Sequence, residues 1–552
     1  MKRLSFEERA HQLHTFDRSE FDVIIIGGGI TGAGIALDSA ARGLSTLVVD
    51  MQDFAAGTSS RSTKLVHGGL RYLKQMEVKL VSDVGREREI VYHNAPHVTH
   101  PEAMLLPIYK EGTLGKFSAS FGLKMYDYLA GVKKEERREM LSRKEVIEKE
   151  PLLNRKNLAG GGYYVEYRTD DARLTIEVLK KANDLGAQAL NYMKADHFSY
   201  DRNGTISGVN LVDQLTGEEY HVYGHAIINA TGPWVEQLLE KDKETKKNQL
   251  FHSKGVHIVI DQTKFPLRQA TYFDHTDGRM IFAIPRGGKT YVGTTDTEYH
   301  GPLANPHITV EDKKYLLQAV RHMFPYIELS LEDIESSWAW MLPRSVEEGK
   351  APSEVSRKDE VWESSTGLLS IAGGKLTGYR LMAEEITDRL CKKLYREHGI
   401  TCNPCETKYI RLSGGNFQTP EDYKEYIHDM APIVMERAQL SEREARGLLA
   451  IYGTNIDDLL SLVPKVDTSH EIPAVIQLIL LYSMYFEMAL TPLDFFMRRT
   501  GTLFFDIQWV VRWKEPIVEY MRNVLDWSDA ETTSHVVQLN RRLHEATHAA
   551  IH

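Results

Sequence analysis

The stretch GTSSRSTKLVHGGLRYL, residues 57–73, concentrates side chains that bind polar ligands. It combines serine and threonine hydroxyls, a histidine, several cations and a Gly-Gly pair. Hydroxyls and backbone amides donate hydrogen bonds without adding bulk. Lysine and arginine form the charge-assisted contacts that offset the loss of hydration around a phosphate. The stretch is therefore suited to holding an anionic ligand, provided that neighbouring elements bring these groups together.

The elements directly before it have the pattern of a dinucleotide-binding βαβ unit. Residues 21–50 read FDVIIIGGGITGAGIALDSAARGLSTLVVD, a buried strand, a glycine turn, a small-residue helix and a second strand. Gly27 permits the tight turn, Gly29 lets the backbone approach a pyrophosphate, and Gly32 lets the helix pack on the sheet. The helix N-terminus favours phosphate, and Asp50 is placed to accept ribose hydroxyls. The pattern does not distinguish FAD from NAD, but the acid disfavours NADP.

The bulk composition narrows the class of protein. A chain of 552 residues is too long for one hydrophobic core, so two or three domains are expected. A net charge of -10 disfavours general nucleic-acid binding. The N-terminus lacks the apolar region of a signal peptide. The longest apolar run, residues 474–490, is shorter than the roughly 20 residues of a transmembrane helix, so none is predicted.

The three cysteines, Cys391, Cys402 and Cys405, do not indicate a disulfide scaffold and fit a reducing compartment. The Cys402–Cys405 pair is a lone CxxC without two further zinc ligands. No metal site is therefore predicted.

Strand-like runs alternate with short helices from about residue 160 to 400, and helical patterns replace them from about 405 onward. We expect an α/β fold with a Rossmann-type dinucleotide-binding domain, a β-rich substrate domain and an all-helical C-terminal domain. The predicted boundaries are a discontinuous unit, 1–404, and a helical domain, 405–552. Within the first unit the dinucleotide core takes about 20–95, 160–250 and 350–400, and the substrate part about 96–159 and 251–349.

A family resemblance covers nearly the whole chain. The chain resembles the FAD-dependent glycerol-3-phosphate dehydrogenases in its βαβ unit, in GTSSRSTKLVHGGLRYL and in the motifs TDDARL (169–174), NATGPW (229–234), KGVHIVI (254–260), VGTTDTEY (292–299), AGGKLTGYR (372–380) and YFEMALTPLDFFMRRT (485–500). The resemblance implies FAD as the cofactor and oxidation of sn-glycerol 3-phosphate to dihydroxyacetone phosphate by hydride transfer from C2 to flavin N5. It also implies delivery of the electrons to a membrane quinone.

The resemblance and the motifs together assign candidate site residues. The candidate cofactor-binding residues are Gly27, Gly29, Gly32, Asp50, Thr58, Ser59, Ser60, Ser62, Lys64, His67, Thr231, Gly232, Gly374, Leu376 and Thr377. The candidate substrate-binding residues are Arg71, Tyr72, Arg344, Arg357 and Lys375, of which Arg71 and Lys375 are also placed at the catalytic centre.

A neutral imidazole is suited to take the hydroxyl proton near pH 7. By resemblance His257 is the first candidate for this base, and His67 is the second. Each assignment has a simpler alternative. Arg71 and Lys375 could be ordinary solvated cations, Arg357 could pair on the surface with Asp359 or Glu360, and His257 could be a packed core histidine.

One segment departs from the family pattern. Relatives carry a Gly-Leu-Arg-Pro-Leu turn after a tryptophan, whereas residues 336–349 read SSWAWMLPRSVEEG. Trp340 stands where a small glycine is expected, and the arginine follows Pro343, as Arg344, instead of preceding the proline. Either Arg344 replaces the missing cation through a shifted loop, or one substrate contact is lost.

The electron acceptor and the location follow less directly. Residues 113–134 place apolar side chains along one helical stripe with several lysines, which suits an anionic bilayer surface, although core packing is an alternative. The prediction is a cytoplasmic protein, with peripheral contact on the inner face of the cell membrane and a homo-oligomer left open. Alternative functions are an oxygen-linked glycerol-3-phosphate oxidase, an amine or amino-acid oxidase of the same flavin superfamily, and a non-catalytic FAD-binding or tRNA-modifying partner.

Overall fold

The computed structural model describes residues 3–67, 78–110, 138–243, 250–345, 360–373 and 375–550. Its strands are β1 (Glu20–Ile26), β2 (Thr46–Val49), β3 (Leu65–Val66), β4 (Thr99–Tyr109), β5 (Glu139–Leu141), β6 (Leu158–Thr169), β7 (Gln188–Leu190), β8 (Met193–Tyr200), β9 (Ile206–Asp213), β10 (Glu219–Asn229), β11 (Leu250–Asp261), β12 (Ala270–Asp274), β13 (Met280–Arg286), β14 (Lys289–Gly293), β15 (Thr297–Glu298), β16 (Ile334–Ser345), β17 (Glu360–Glu363) and β18 (Leu369–Ala372).

The helices follow the same numbering along the chain. They are α1 (Phe6–His14), α2 (Ile30–Ala41), α3 (Val78–Asn94), α4 (Arg143–Lys149), α5 (Asp171–Asp184), α6 (Val235–Leu239), α7 (Val310–Met323), α8 (Tyr379–His398), α9 (Asp422–Ala438), α10 (Glu442–Tyr452), α11 (Ile456–Leu460), α12 (Ala474–Glu487), α13 (Pro492–Asp494), α14 (Thr502–Phe505), α15 (Ile507–Leu525) and α16 (Asp529–Thr547). A π-helical turn, Phe495–Arg499, follows α13 directly.

The first sheet has the order β17-β18-β10-β1-β2-β7, with β9 and β8 added beside β10. Its central pairs are parallel: β1 lies between β10 and β2, and β10 also pairs with β18. Helices α2, α5 and α8 pack together on one face, where their apolar side chains meet those of β1. The predicted βαβ unit is present, and its helix begins three residues earlier than the small-residue run at Ala33.

The second sheet has the order β15-β11-β14-β13-β12-β4-β6-β3, and β16 pairs along β11. One face is covered by α7. On the other face Trp338 and Tyr291 share a core with helical residues such as Leu480 and Phe504. The mixed α/β architecture with a helical C-terminal region is therefore confirmed. The numbered domain boundaries stay predictions.

A buried ion network fastens the helical region to the first sheet. Asp53, just after β2, accepts hydrogen bonds from Arg498 Nε at 2.5 Å and from Arg499 Nη1 at 2.8 Å. Arg498 also pairs with Asp494, four residues earlier in the chain. Arg173 on α5 bonds Glu487 at the end of α12 at 2.7 Å. All these groups are shielded from water, so each charge depends on its partners.

The cysteines differ from the sequence interpretation. Cys391 in α8 and Cys402 after that helix form a disulfide with Cα atoms 5.9 Å apart, and Cys405 is free. The small, odd number of cysteines did not indicate a disulfide scaffold, and the sequence analysis did not predict this single bridge. It forms because the turn after α8 brings residues eleven positions apart into contact.

Within the described residues no single helix is long and apolar enough to cross a bilayer, although α12 and Pro492–Arg499 pass that test together as a pair bent by 106°. The predicted surface stripe at 113–134 lies wholly outside the described residues.

Candidate functional site: a cavity at the carboxyl ends of parallel strands

The site lies where four parallel strands of the first sheet end. β1 is followed by Gly27, β2 by Asp50, β10 by Ala230 and Thr231, and β18 by Gly373, and all of these residues line one cavity. Ligands of open α/β sheets bind at this edge, because the loops there diverge from a point where the strand order reverses. The topology thus explains why segments far apart in sequence share one site.

The glycine turn is shaped by close backbone contacts. Gly27 has φ +117°, in the region that favours glycine, and an added Cβ would collide with the carbonyl oxygen of Ala230. A Cβ on Gly32 would collide with the carbonyl of Gly27, so Gly32 lets α2 start close behind the turn. Gly29 lines the cavity and has no side chain that could cover its own backbone there. The roles predicted for Gly27 and Gly32 in the turn therefore match the local geometry.

Asp50 supports the turn from the end of β2. Its carboxylate accepts hydrogen bonds from the backbone N–H of Gly28 at 2.7 Å and of Gln52 at 2.9 Å. Burial raises the pKa of Asp50 to about 7, against the lowering effect of these two bonds, and the nearby charge of Asp53 raises it further. Further hydroxyl donors in the cavity would therefore stabilise the ionised form of this carboxylate.

The hydroxyl-rich stretch forms the wall opposite the turn. Ser59 Oγ accepts a hydrogen bond from Ile30 N at 2.9 Å, in the first turn of α2, and Thr58 Oγ1 donates to Met341 O at 2.5 Å. Thr58, Ser59, Ser62 and His67 line the cavity, as expected of cofactor-binding residues.

Two residues of the same stretch lie behind that wall. Ser60 is fully buried and does not line the cavity. Lys64 is buried as well, and its Nζ donates to Asp171 at 2.6 Å and to Ser60 O at 2.9 Å. Direct contact of Ser60 or Lys64 with a cofactor is therefore not supported. The ion pair with Asp171 holds the ammonium group of Lys64 in the interior. Lys64 instead holds the stretch against α5.

The segment after β18 closes the other side. Lys375, Leu376 and Thr377 line the cavity, as do Thr231 and Gly232 after β10. Thr377 Oγ1 accepts a hydrogen bond from the backbone N–H of His67 at 3.0 Å and donates one to the carbonyl oxygen of His67 at 3.1 Å. These two bonds fix the segments to each other. Gly374 lies outside the described residues.

Of the predicted substrate cations, Lys375 reaches the cavity wall. Arg71, Tyr72 and Arg357 lie outside the described residues, so their positions stay predictions. The backbone of Arg344 pairs with Phe251 in the β11–β16 ladder, so this arginine follows a regular strand instead of a shifted loop.

His257, the first candidate for the base, is fully buried on β11 and does not line the cavity. Its Nε2 lies 3.1 Å from Thr63 Oγ1, and its ring stacks on Trp338 with centroids 4.9 Å apart. Burial, aided by the charge of Lys64, lowers the pKa of His257 to about 3. His257 is therefore a neutral imidazole that reaches the cavity through the hydroxyl of Thr63, whereas His67 borders the cavity itself.

Two tryptophans form part of the cavity without having been predicted as site residues. Trp340, noted as a departure from the family pattern, faces Gly255 across the β11–β16 ladder, where any side chain would meet its indole ring. Its buried Nε1–H has no hydrogen-bond partner among the described residues. Trp234, in the NATGPW motif, packs beside Gly57. A Cβ added to Gly57 would lie 3.2 Å from the ring of Trp234. For Trp340, the sequence signal that could have been used was the glycine at position 255.

The arrangement fits an FAD molecule. The glycine turn leaves room for a pyrophosphate at the start of α2, Asp50 offers an acceptor for ribose, and hydroxyl-bearing residues line the remaining space. A polar lining with apolar neighbours such as Leu65 and Ile371 also suits a large planar ring.

Comparisons with known proteins agree with this reading of the cavity. Residues 22–389 match the family described as FAD dependent oxidoreductase, and residues 405–532 match the C-terminal domain of alpha-glycerophosphate oxidase. The chain is 50% identical over 548 residues to the aerobic glycerol-3-phosphate dehydrogenase of Staphylococcus aureus strain MRSA252, covering 99% of this chain and 98% of that protein.

Among solved structures, the glycerol-3-phosphate dehydrogenase from Bacillus halodurans complexed with FAD is 44% identical, with a TM-score of 0.86 and coverage of 100% of this chain and 99% of that one. The L-alpha-glycerophosphate oxidase of Mycoplasma pneumoniae with FAD bound shares 18% identity with a TM-score of 0.55 over 71% of this chain and 98% of that one, a likeness of fold.

Proposed function

The chain belongs to the family of FAD-dependent glycerol-3-phosphate dehydrogenases, and from this premise we propose that it oxidises sn-glycerol 3-phosphate to dihydroxyacetone phosphate. The observation that carries the proposal is the full-length identity of 50% to a protein of that activity, combined with a cation, Lys375, on the wall of the dinucleotide cavity. FAD, when bound, supplies the two-electron acceptor for the hydrogen at C2.

The substrate phosphate needs cations close to the reacting carbon. Glycerol 3-phosphate carries close to two negative charges, and only charge-assisted contacts offset the loss of its hydration. We assign Lys375 to this task, with Arg71, Tyr72, Arg344 and Arg357 as further proposed contacts. Lys375 follows Gly373, whose φ of +88° turns the chain at the end of β18. The turn brings the lysine to the carboxyl edge of the sheet.

The hydroxyl proton needs an acceptor at the cavity. We favour His67 because it lines the cavity and its backbone is held at both N–H and C=O by Thr377. His257, with its pKa near 3, is a weak base separated from the cavity by Thr63, so we assign it to orienting the Thr63 hydroxyl. His67 therefore acts on the substrate directly, whereas His257 acts through the hydroxyl of Thr63.

The electron acceptor is proposed to be a membrane quinone, the protein being cytoplasmic and peripheral on the inner face of the cell membrane. What supports this is the name "aerobic" glycerol-3-phosphate dehydrogenase borne by relatives of the same length. A homo-oligomer stays open. Reoxidation of the reduced protein by a soluble quinone should be faster than reoxidation by oxygen, and the reverse order would favour the oxidase alternative.

The test of the whole proposal uses the purified yellow protein without oxygen. Adding glycerol 3-phosphate should bleach the flavin band within seconds, whereas glycine or proline should not; a spectrum that stays oxidised would contradict the proposal. The Lys375→Met variant should need far more substrate for half-maximal bleaching, because a desolvated charge pair contributes about 2–5 kcal/mol. The matched control is Lys392→Met, an exposed lysine on α8, which should behave like the wild type.

A further inference from the structure

A second cavity of about 520 Å³ lies on the far side of the hydroxyl-rich stretch from the dinucleotide cavity. Its walls come from β16, the π-helical turn, α14 and the end of α16, with Trp338, Met497, Leu503 and Phe504 as its apolar surfaces. The volume is within the range of about 300–1,000 Å³ that is typical of small-molecule sites. We call it the Arg61 cavity after the residue that sets its chemistry.

Arg61 is a buried cation that forms no ion pair with an acid of the described residues, although the charge of Glu545 acts on it from a distance. It is 6% exposed and lines the cavity, and its Nη1 donates to the carbonyl oxygen of Ala304 at 3.1 Å. Its Nε has no hydrogen-bond partner, and no carboxylate of the described residues lies within ion-pair distance of it. A buried guanidinium without a counter-ion is costly, and Arg61 shows the cost, because burial and the charges of Arg542 and Arg498 lower its pKa to about 9.

The other charged groups of the described lining leave Arg61 without an ion-pair partner. Arg542 also lines the cavity, and the single carboxylate of the described lining, Glu545, is already paired with Arg542 at 3.0 Å. The described lining therefore combines an unneutralised cation with an apolar surface.

We propose that the Arg61 cavity binds an organic anion, with the charged group of the ligand on the guanidinium of Arg61 and its apolar body against Trp338 and Phe504. The complementary chemistry is that of an amphiphilic carboxylate. An inorganic anion alone would leave the apolar walls wet, and an uncharged amphiphile would leave Arg61 unpaired. Both halves of the ligand are therefore required.

The site is separate from the dinucleotide cavity yet adjoins it. The carbonyl oxygen of Arg61 accepts a hydrogen bond from Trp338 Nε1 at 2.8 Å, and Trp338 is the residue that stacks on His257. Ser62 and Thr63, the next residues in the chain, line the dinucleotide cavity. Consecutive residues of one stretch thus line the two cavities.

The test measures binding of decanoate to the FAD-loaded protein by titration calorimetry, with decanol and inorganic phosphate as the apolar-only and anion-only probes. Decanoate should bind with one saturable site, at least tenfold more tightly than either probe. Equal binding of decanol, or no binding of decanoate, would overturn the proposal.

Two variants locate the site. Arg61→Gln should weaken decanoate binding at least tenfold, whereas Arg541→Gln, an exposed arginine on the same helix as Arg542, should not. Ala549→Phe fills the cavity with Arg61 left in place, and it should weaken decanoate binding even if Arg61→Gln fails to retain FAD. Wild-type affinity in Ala549→Phe would refute the assignment. Bleaching by glycerol 3-phosphate in each preparation checks independently that the dinucleotide cavity is intact.

Discussion

The buried carboxylate of Asp53 offers the most direct test of how the helical region is attached. The substitution Asp53→Asn keeps the size of the side chain and removes its charge. The amide would then present N–H donors to Arg498 and Arg499, which lose a common counter-ion, although Arg498 keeps Asp494 and Arg499 keeps Glu487 at 3.6 Å. Breaking a fully buried pair by removing one partner costs about 3–5 kcal/mol. We expect the free energy of unfolding to fall by that amount.

The assay follows urea unfolding by circular dichroism and by release of flavin fluorescence. The control is Asp388→Asn, which removes a carboxylate paired with Arg42 at 2.6 Å but 53% exposed, so its loss should cost about 0–1 kcal/mol. Equal midpoints for the two variants would refute the reasoning. Because Asp53 directly follows Asp50, Met51 and Gln52, which line the dinucleotide cavity, its variant should also release FAD earlier in the titration.

The same carboxylate makes stability depend on acid pH. Burial alone would raise the pKa of Asp53, but the charges of Arg499 and Arg498 lower it to about 2, below the ordinary value of 3.8. A lowered acid pKa gives stability that is present above the unfolded value. This stability is lost as the pH falls from about 4 towards 2. Asp53→Asn should show a weaker loss across that interval.

Three further outcomes follow from the dinucleotide cavity. Gly27→Ala should yield protein that lacks FAD, because the added Cβ meets a backbone carbonyl, and the flavin absorbance relative to protein should therefore be lost. Gly447→Ala is the control: no atom lies within 4 Å of its added Cβ, so it should keep the flavin absorbance. FAD affinity of the apoprotein should rise by up to about tenfold per pH unit below pH 7 and level off above it, because ribose hydroxyls donate to the ionised Asp50, and Asp50→Asn should remove this slope. In single-turnover reduction, His67→Gln should slow bleaching by about 10²–10⁴-fold and His257→Gln by less; the opposite ranking would return the base to His257.

Sequence patterns predicted the parts of the site that depend on local conformation. The glycine turn, the small-residue helix and Asp50 act within about thirty residues, so one stretch of sequence contains the whole constraint. The hydroxyl-rich stretch was also found, because so many donors close to a dinucleotide turn are unusual. Lys64 shows the limit of this reasoning, since its buried partner, Asp171, is 107 residues away and no local pattern indicates it.

The remaining differences have the same origin in long-range packing. Trp340 departs from the family pattern in sequence, and its indole ring occupies the space beside Gly255 on the neighbouring strand. The Asp53–Arg499 pair joins residues 446 positions apart. The family resemblance gave the class of enzyme, whereas the positions of His257 behind Thr63 and His67 on the wall required coordinates.

The parallel order of the first sheet has a consequence for synthesis on the ribosome. β1 pairs with β10 through contacts such as Ile24 with Ile227, and β10 pairs with β18 through Ile228 with Leu369. At about 5–20 residues per second, translation needs roughly 10–40 s to deliver β10 after β1 has emerged. During that interval one edge of β1 is an unsatisfied template for foreign strands. The nascent chain thus exposes this edge until its own middle third arrives.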